Sequence, residues 1–371
     1  MEEQRILDQT KCTHRRTVFC VGRTIMNKRK NIVYIMSGSI SNWFSYFCDS
    51  ENLIEVIFEN SEMKEDILKE IERVENTYGK TVNIYIISSH ISLKSDIDLV
   101  RRFRERGYKV FAQTETAIRY GINKIDQKKM FEKENFRTPE WILPICDEKS
   151  NYLVKMNNAT EGAGIAWYDS VEKRDVYYEK YVSGMEFSIN IFSNEKKSVA
   201  FPAVYKGRNS KDLKPPYMRI RICGQYDEQI EKYEEEMQSI ALRLGEQINN
   251  YGFMEAEFVI DDKGKIYLLE VNPRVSGTLR IAALASDTKC FNLLFKSTIR
   301  ENKLEAKYNT YEIPYRGRGF FDEKNDIYVT SRATFAAKTD SEIENKLRSL
   351  NETEITLSDV MKQREGILSN Y

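Results

Sequence analysis

The stretch GFMEAEFVIDDKGKIYLLEVNPR, residues 252–274, places two apolar runs on either side of the turn sequence DDKG. This pattern predicts a β-hairpin. Because side chains repeat with period two along a strand, Glu270 and Asn272 should point to the same face. The pair on its own is also compatible with a solvated strand end, at which Asn272 opens a turn completed by Pro273 and Gly277.

A third acid, Glu257, distinguishes these two interpretations. It belongs to the other strand of the predicted hairpin, and counting inward from the turn puts it within reach of Glu270 and Asn272. Mg²⁺ prefers hard carboxylate and amide oxygens and completes its octahedron with water and nucleotide phosphates. A turn does not require Glu257, so the three side chains together predict a metal-dependent nucleotide site.

The composition is that of a globular protein without a dominant charge. The chain has 371 residues, of which 41% are hydrophobic and 12% aromatic, enough for two or three packed subdomains. Its 57 basic and 57 acidic residues cancel, so no nucleic-acid partner is expected. Residues 1–31 are an exception, with eight Lys or Arg against three acids, and form either a basic docking arm or a solvated terminus.

Cysteine and histidine usage excludes several classes of site. The six cysteines are scattered without a CxxC pair, which indicates neither a zinc site nor a disulfide framework and favours the cytoplasm. No sequence window reaches the apolar length of a membrane span, so no membrane partner is expected. The two histidines, His14 and His90, are too few for a His-based metal cage, and we expect the chemistry to use carboxylates, lysines and arginines.

Periodicity divides the chain into an α/β part and a β-rich part. Residues 32–111 alternate apolar strands with amphipathic helices, which predicts a parallel sheet. Within this part, the SGS at 37–39 is compatible with either a phosphate turn or a plain loop. A lysine-rich helix is expected within 121–140, ending before Pro139, and an amphipathic helix is expected over about 227–249.

The β-rich part begins with YLVKM and AWY, two predicted strands joined by the small-residue loop NNATEGAGI. The segment YYEKYVSGMEF, residues 177–187, predicts a strand, a Ser-Gly turn and a strand, which by itself describes an ordinary surface hairpin. Further β segments are expected at 198–206, 217–223 and 326–337, and further helical structure at 278–299 and 341–350.

Four cationic side chains are candidates for binding a substrate carboxylate or phosphate: Lys206, Arg219, Arg221 and Arg280. Arginine suits such groups because it can bind two of their oxygens at once. Arg219 and Arg221 are expected on one strand face. They could equally pair with surface acids, so the sequence leaves both roles open.

In this order, the segments resemble the ATP-grasp superfamily of carboxylate-amine ligases over about residues 120–285. The resemblance implies a mixed fold, α+β or α/β, in which the ATP-grasp fold is preceded by a Rossmann-like parallel α/β domain. It implies an N-terminal domain over 1–115, an ATP-grasp domain over 116–300 with a lid at about 140–182, and a C-terminal β/α extension over 301–371 that completes the ATP-grasp region.

The resemblance also implies which residues bind the triphosphate. Lys124 and Lys155 would bind the nucleotide phosphates, Lys155 and Arg274 would be catalytic, and Arg274 would steady the transferring phosphoryl group or acyl phosphate. The mobile lid loop would be 159–165. The glycine-rich centre of this loop is Gly162, Ala163 and Gly164. Its backbone amides would approach phosphate oxygens, although any tight hairpin tip also favours glycine.

The remaining implied positions bind the base, the ribose and the metal. An exposed strand edge would hydrogen-bond adenine as a hinge that runs from Tyr178 and includes Glu179, Lys180, Tyr181 and Val182. Glu186 would take the ribose hydroxyls. The cofactors would be ATP and two Mg²⁺ ions, with Mn²⁺ as an alternative ion, and the metal ligands would be Glu257, Glu270 and Asn272.

The EVNPR ending resembles carbamoyl-phosphate synthase large-subunit-like domains, and EKYVSGMEF resembles D-alanine ligase-like domains. D-alanine ligases carry an arginine where this chain has Glu255, which does not favour D-Ala-D-Ala synthesis. The resemblance implies a cytoplasmic ligase, expected as a homodimer, that joins a small amino acid-like carboxylate to an amine through an acyl phosphate and releases ADP and phosphate. The alternatives are a ligase that modifies a ribosomal precursor peptide and a catalytically silent nucleotide-binding module.

The loop at 159–165 gives the first testable prediction. Its sequence, ATEGAGI, contains little apolar surface to bury, so phosphate contacts must supply the free energy that orders it. We expect amide hydrogen exchange across residues 156–168 to slow when a nonhydrolysable ATP analogue and Mg²⁺ are added. A fixed hairpin tip would instead exchange equally with and without the analogue, and that result at saturating analogue would rule out a lid.

Overall fold

The computed structural model describes most of the chain, in ranges separated by short gaps: 19–20, 30–35, 40, 43–49, 53–57, 64–90, 92–143, 151–158, 164–168, 175–215, 218–226, 228–296, 301–315, 320–322, 325–329, 331–350 and 353–368. The predicted phosphate turn at 37–39, most of the basic segment 1–31, and Gly162 and Ala163 of the predicted lid loop lie outside these residues. Within the described ranges, no helix is both long and apolar enough to cross a membrane.

The N-terminal part is a mostly parallel α/β unit. It comprises β1 (Phe19–Cys20), β2 (Lys30–Ile35), β3 (Leu53–Ile57), α1 (Lys64–Tyr78), β4 (Val82–Ile87), α2 (Leu93–Glu105) and β5 (Lys109–Phe111). The strand order is β1-β3-β2-β4-β5, in which β2 to β5 run parallel and β1 pairs antiparallel with β3. This confirms the parallel sheet predicted for 32–111. Both faces of β2 and β4 are largely buried, which explains their nearly continuous apolar sequences.

Two short helices, α3 (Glu115–Ile122) and α4 (Lys124–Lys133), connect this unit to the rest of the chain. Each begins at a side-chain cap that accepts a hydrogen bond from a backbone amide of the first turn. The Thr114 hydroxyl caps α3, and the Asn123 side-chain oxygen caps α4 at 3.0 Å from the Asp126 amide. The sequence pattern predicts α4 but not α3.

The next four strands form a small antiparallel sheet of their own: β6 (Trp141–Ile142), β7 (Tyr152–Met156), β8 (Ala166–Trp167) and β9 (Val176–Lys180). The strand order is β6-β9-β7-β8, and the predicted β7–β8 hairpin is confirmed by the pairing of Leu153 with Trp167. Because β9 lies between β6 and β7, the exposed strand edge predicted at Glu179 is wrong. Glu179 is paired with Trp141 on one side and Leu153 on the other.

A ten-stranded sheet and its helices make up the remainder of the described chain. The elements are β10 (Gly184–Ser193), β11 (Ser198–Ala200), β12 (Val204–Arg208), β13 (Arg221–Cys223), α5 (Glu228–Gln247), β14 (Gly252–Asp261), β15 (Ile266–Asn272), α6 (Leu279–Ala285), β16 (Thr310–Pro314), β17 (Phe320–Asp322), β18 (Ile327–Val329), β19 (Arg332–Ala336), α7 (Asp340–Ser349) and α8 (Leu357–Leu368). The strand order is β15-β14-β10-β12-β13-β16-β19-β18-β17, with β11 paired to β10.

The predicted hairpin of residues 177–187 does not form. Its two strands, β9 and β10, belong to different sheets, and the chain crosses between the sheets at the Ser183-Gly184 turn. Gly184 is required at this crossing, because a Cβ atom on it would lie 2.0 Å from the Ile260 carbonyl oxygen. This turn therefore joins the small sheet to the large one.

Helix α5 covers one face of the large sheet. Ile230, Met237, Leu244 and Ile248 are fully buried in the core that this face shares with the strands, as the periodicity of 227–249 predicts. The predicted C-terminal helix at 341–350 is α7, whereas α8 is not predicted.

Candidate functional site

The β14–β15 hairpin brings the three predicted metal-site residues together on one face of the large sheet. Glu257 lies directly opposite Glu270, and Asn272 lies opposite Glu255. A β-bulge makes this possible, because near the turn Phe258 pairs with Leu268 and Leu269 is the extra residue. Without the bulge, Glu257 would face Leu269, and Glu270 would point to the other side of the sheet.

Asn272 connects the two carboxylates. Its side-chain nitrogen donates hydrogen bonds to Glu257 Oε1 at 3.2 Å and to Glu270 Oε1 at 2.8 Å. Its side-chain oxygen lies 3.5 Å from Lys124 Nζ and 3.4 Å from Arg274 Nη2. The structure thus places Lys124 and Arg274 against the same amide that joins the two acids.

Each of the two carboxylates also has a lysine partner. Lys124 Nζ lies 3.1 Å from Glu270 Oε2, and Lys206 Nζ lies 2.5 Å from Glu257 Oε2. Lys206 was a candidate for the substrate pocket, and the structure places it beside the predicted metal site instead. Glu257 and Glu270 therefore each have one lysine as a counterion on this face of the sheet.

The environments shift the pKa values of the two acids in opposite directions. Burial raises the pKa of Glu257 against the attraction of Lys206, and the neighbouring charges of Glu255 and Glu270 raise it further. Burial acts in the same direction on Glu270, but Lys124 and the hydrogen bond from Asn272 hold its pKa below the ordinary value. Glu270 is thus the firmly ionised member of the pair.

A second buried charge cluster joins α4 to the small sheet. Glu179 is 2% exposed and pairs with both Lys155 on β7 and Lys128 on α4. Lys128 also donates hydrogen bonds to the Thr138 hydroxyl at 2.7 Å and to the Leu269 carbonyl at 2.9 Å. Lys155 and Glu179 are predicted from the sequence, whereas Lys128 is not, since spacing alone does not show that a helical lysine of a lysine-rich segment points inward.

The predicted adenine hinge lies at the junction of the two sheets. The backbone amides of Lys180 and Tyr181 donate to the carbonyls of Glu140 and Asn151, at 2.8 and 2.9 Å, and the Val182 carbonyl accepts a hydrogen bond from the Asn209 side chain at 2.7 Å. A surface cavity of about 430 Å³ opens here, lined by Pro139, Glu140, Lys180, Tyr181, Val182, Ser183, Asp261, Asp262, Lys263 and Tyr267. A larger cavity, of about 1250 Å³, is lined by residues of 196–198, 225–246, 286–288 and 301–307, none of them a predicted site residue.

Glu186, Arg219 and Gly164 are three further residues that the sequence singles out. Glu186, predicted to bind ribose, pairs with Arg219 Nη1 at 2.8 Å. Arg219 precedes β13 and lies outside the strand, so the expectation that it shares a strand face with Arg221 is wrong. Gly164, the described residue of the predicted glycine-rich centre, has a positive φ of 72°, a conformation that favours glycine.

Within the described ranges, no group of three or more His, Cys, Asp or Glu side chains is arranged to hold a metal ion. The predicted ligands are two carboxylates and one amide, a set of hard oxygen donors of the kind that Mg²⁺ accepts. These residues fit the ion in chemistry, because the carboxylates of Glu257 and Glu270 both contact the Asn272 amide and each is paired with a lysine that a phosphate could draw away.

The two antiparallel sheets and the acids and lysines near their junction can be compared with known proteins. Residues 122–278 match a family model described as an ATP-grasp domain. The chain therefore has the ATP-grasp fold, as the resemblance implies, and residues 122–278 are similar to an ATP-grasp domain.

Individual proteins are similar to this chain in sequence or in structure. The chain is 25% identical over 234 residues to a carbamoyl-phosphate synthase of Methanobrevibacter smithii, a match that spans 56% of this chain and 63% of that protein. An L-amino acid ligase from Bacillus licheniformis has a similar structure, with a TM-score of 0.62, 13% identity and coverage of 88% of this chain and 98% of that one. A biotin carboxylase from Campylobacter jejuni gives a TM-score of 0.65, with 12% identity and coverage of 92% and 97%. At such identities the two solved structures support the fold alone.

Proposed function

We propose that this protein is an ATP-dependent carboxylate-amine ligase that forms an amide or peptide bond through an acyl phosphate. The observation that carries the proposal is the convergence of Glu257, Glu270 and Asn272 with Lys124 and Arg274 at the junction of the two sheets. A free carboxylate is a poor electrophile, so transfer of the γ-phosphoryl group to it installs the leaving group that an amine then displaces.

In this proposal, the lysines exchange partners when ATP enters the site. Lys124 now pairs with Glu270, Lys155 with Glu179 and Lys206 with Glu257. Phosphate oxygens would take over the ammonium groups of Lys124 and Lys155. The carboxylates of Glu257 and Glu270, together with the Asn272 oxygen, would then hold Mg²⁺, which when bound supplies positive charge to the triphosphate.

The other predicted residues take roles that fit their places in the fold. The hinge from Lys180 to Val182 lines the cavity between the sheets and would bind the adenine there. Glu186 would take the ribose hydroxyls once it leaves Arg219. Arg274 lies 3.4 Å from Asn272 Oδ1 and would stabilise the charge that develops on the transferring phosphoryl group.

The substrate of this proposal is a small amino acid-like carboxylate. Incubation with ATP, Mg²⁺ and pooled free amino acids tests it, because ADP release that depends on the amino acids supports a small-molecule ligase. ADP release that requires a precursor peptide instead would favour peptide modification.

The products distinguish acyl-phosphate chemistry from adenylate chemistry. We expect ADP and orthophosphate, because only the γ-phosphoryl group is transferred to the carboxylate. Chromatography of the nucleotide after turnover measures this directly, with a reaction lacking the amino acids as the control. AMP and pyrophosphate as main products would contradict the mechanism.

A further inference from the structure

Lys206 places a buried cation directly on one of the predicted metal ligands. It lies on β12 and keeps 3% of its side chain exposed, and its Nζ is 2.5 Å from Glu257 Oε2. The other oxygen of that carboxylate, Oε1, accepts a hydrogen bond from the Asn272 side-chain nitrogen at 3.2 Å. An ammonium group therefore already occupies one of the two oxygens that Glu257 could offer to a metal ion.

A β-bulge lies at Lys206. Between β10 and β12, Glu186 pairs with Gly207 and the adjacent Phe187 pairs with Tyr205, so Lys206 is the extra residue of β12. Bulges interrupt the ladder locally and change the direction of a side chain, and they are common next to active sites. Two strands that contribute to the candidate site, β12 and β15, thus each contain a bulge.

The side chain of Lys206 crosses a whole strand to reach Glu257. β12 and β14 lie on either side of β10, so two strand spacings, about 10 Å, separate their backbones. The residue of β10 directly opposite Glu257 is Ser188, a small side chain with no exposed surface, and a larger one there would obstruct the lysine. Because Lys206 must extend along the sheet to bridge this distance, its ammonium group is fixed at Glu257.

Lys206 differs in this respect from Lys124, the lysine paired with Glu270. Lys124 begins helix α4, and its Nζ lies 3.1 Å from Glu270 Oε2 and 3.5 Å from Asn272 Oδ1. It approaches the site from a helix, so a change of side-chain torsions can turn it from Glu270 to a phosphate. To follow a phosphate, Lys206 would have to withdraw across β10 and leave the Glu257 charge without its partner, which is costly for a buried pair.

Resting on the ATP-dependent function proposed above, we propose that the ammonium group of Lys206 takes the place of one of the two metal ions that the resemblance implies. The site then takes a single Mg²⁺, for which Glu270, Asn272 and the Oε1 atom of Glu257 remain as oxygen donors. A cation that belongs to the chain stays on Glu257 whether or not nucleotide is bound. Binding of ATP therefore requires only one ion from solution.

Counting bound Mn²⁺ tests this inference without turnover. Mn²⁺ accepts the same hard oxygen ligands as Mg²⁺, and electron paramagnetic resonance measures the ion that remains free. The full chain is titrated with Mn²⁺ in the presence of an equimolar nonhydrolysable ATP analogue. We expect one bound ion per wild-type chain and two per chain of Lys206→Met, because Met has an unbranched stem without a charge and leaves both oxygens of Glu257 to metal ions.

Two further variants separate the charge of Lys206 from its effect on folding. Lys307→Met removes an exposed lysine that lies 3.8 Å from Asp287, so it should keep one ion per chain. Lys206→Arg retains a cation at the same position and should also keep one ion. The thermal unfolding midpoint shows whether each variant is folded. If Lys206→Met does not fold, the counts for the wild type and Lys206→Arg still decide the inference.

The outcomes distinguish this inference from the proposed function. Two Mn²⁺ ions on the wild-type chain overturn the inference, and so does a single ion on a folded Lys206→Met chain. If the wild type binds one ion with the analogue but releases no ADP with any amino acid, the small-molecule ligase fails while the role of Lys206 stands. If the wild type binds no Mn²⁺ with the analogue, the inference and the proposed nucleotide site both fail.

Discussion

Replacing Glu270 with Gln is expected to reduce ADP formation by a factor on the order of 10³ while leaving the chain folded. Gln has the same shape and can still accept the hydrogen bond that Asn272 now donates to Glu270 Oε1. It lacks the charge that would hold Mg²⁺ and that now pairs with Lys124. Because Glu270 keeps 29% of its side chain exposed, solvent compensates Lys124 for much of the lost ion pair, and the loss of stability should be small.

The matched control for this variant is Glu344→Gln. Glu344 is an exposed helical glutamate that pairs with Arg348 at the surface, so its loss should change neither turnover nor unfolding. ADP formation with the amino acid pool and the thermal unfolding midpoint are measured for both variants. If Glu270→Gln consumed ATP at the wild-type rate, Glu270 would not be a metal ligand of the active site.

The residues that come together through local hairpin geometry could be predicted from sequence. The DDKG turn fixes the register near the turn, and the period of two places Glu270 and Asn272 on the same face of their strand, so part of the site follows from counting along the strands. The bulge at Leu269 does not follow from counting, because bulges depend on tertiary packing. Glu257 therefore meets Glu270 and Asn272 only because the bulge shifts the register by one residue, which counting from the turn does not show.

Contacts between distant segments could not be predicted in the same way. β9 and β10 are separated by a Ser-Gly turn, which in sequence is typical of a hairpin, but each strand pairs with partners far away in the chain. Likewise, Glu312 is an unremarkable acid in an apolar segment, and only pairing with β13 and β19 brings Arg221 and Arg332 to it. Period-two and period-3.6 patterns report burial of a face and not the identity of its partner.

The buried position of Glu312 gives the largest expected effect on stability. Replacement with Gln would remove the carboxylate that Arg221, Arg280 and Arg332 share, and removing one partner of a buried ion pair typically costs about 3–5 kcal/mol. We therefore expect Glu312→Gln to lower the free energy of unfolding by about that amount at neutral pH, as measured by urea denaturation. Glu344→Gln is again the surface control. A loss below about 1 kcal/mol would mean that the ion pairs of Glu312 contribute little to folding.

The pH dependence of the difference in unfolding free energy between wild type and Glu312→Gln provides an independent check. Burial alone would raise the pKa of Glu312, but Arg332, Arg221 and Arg280 lower it to about 2 in the folded chain. A depressed carboxylate pKa stabilises the folded state above the unfolded value of about 4.3, and this contribution is lost as the pH falls through the folded value. The difference in unfolding free energy between wild type and Glu312→Gln should therefore be largest at pH 7 and smaller at pH 3.5. A difference that stays constant over this range would show that the lost stability comes from packing or hydrogen bonding and not from the charge of Glu312.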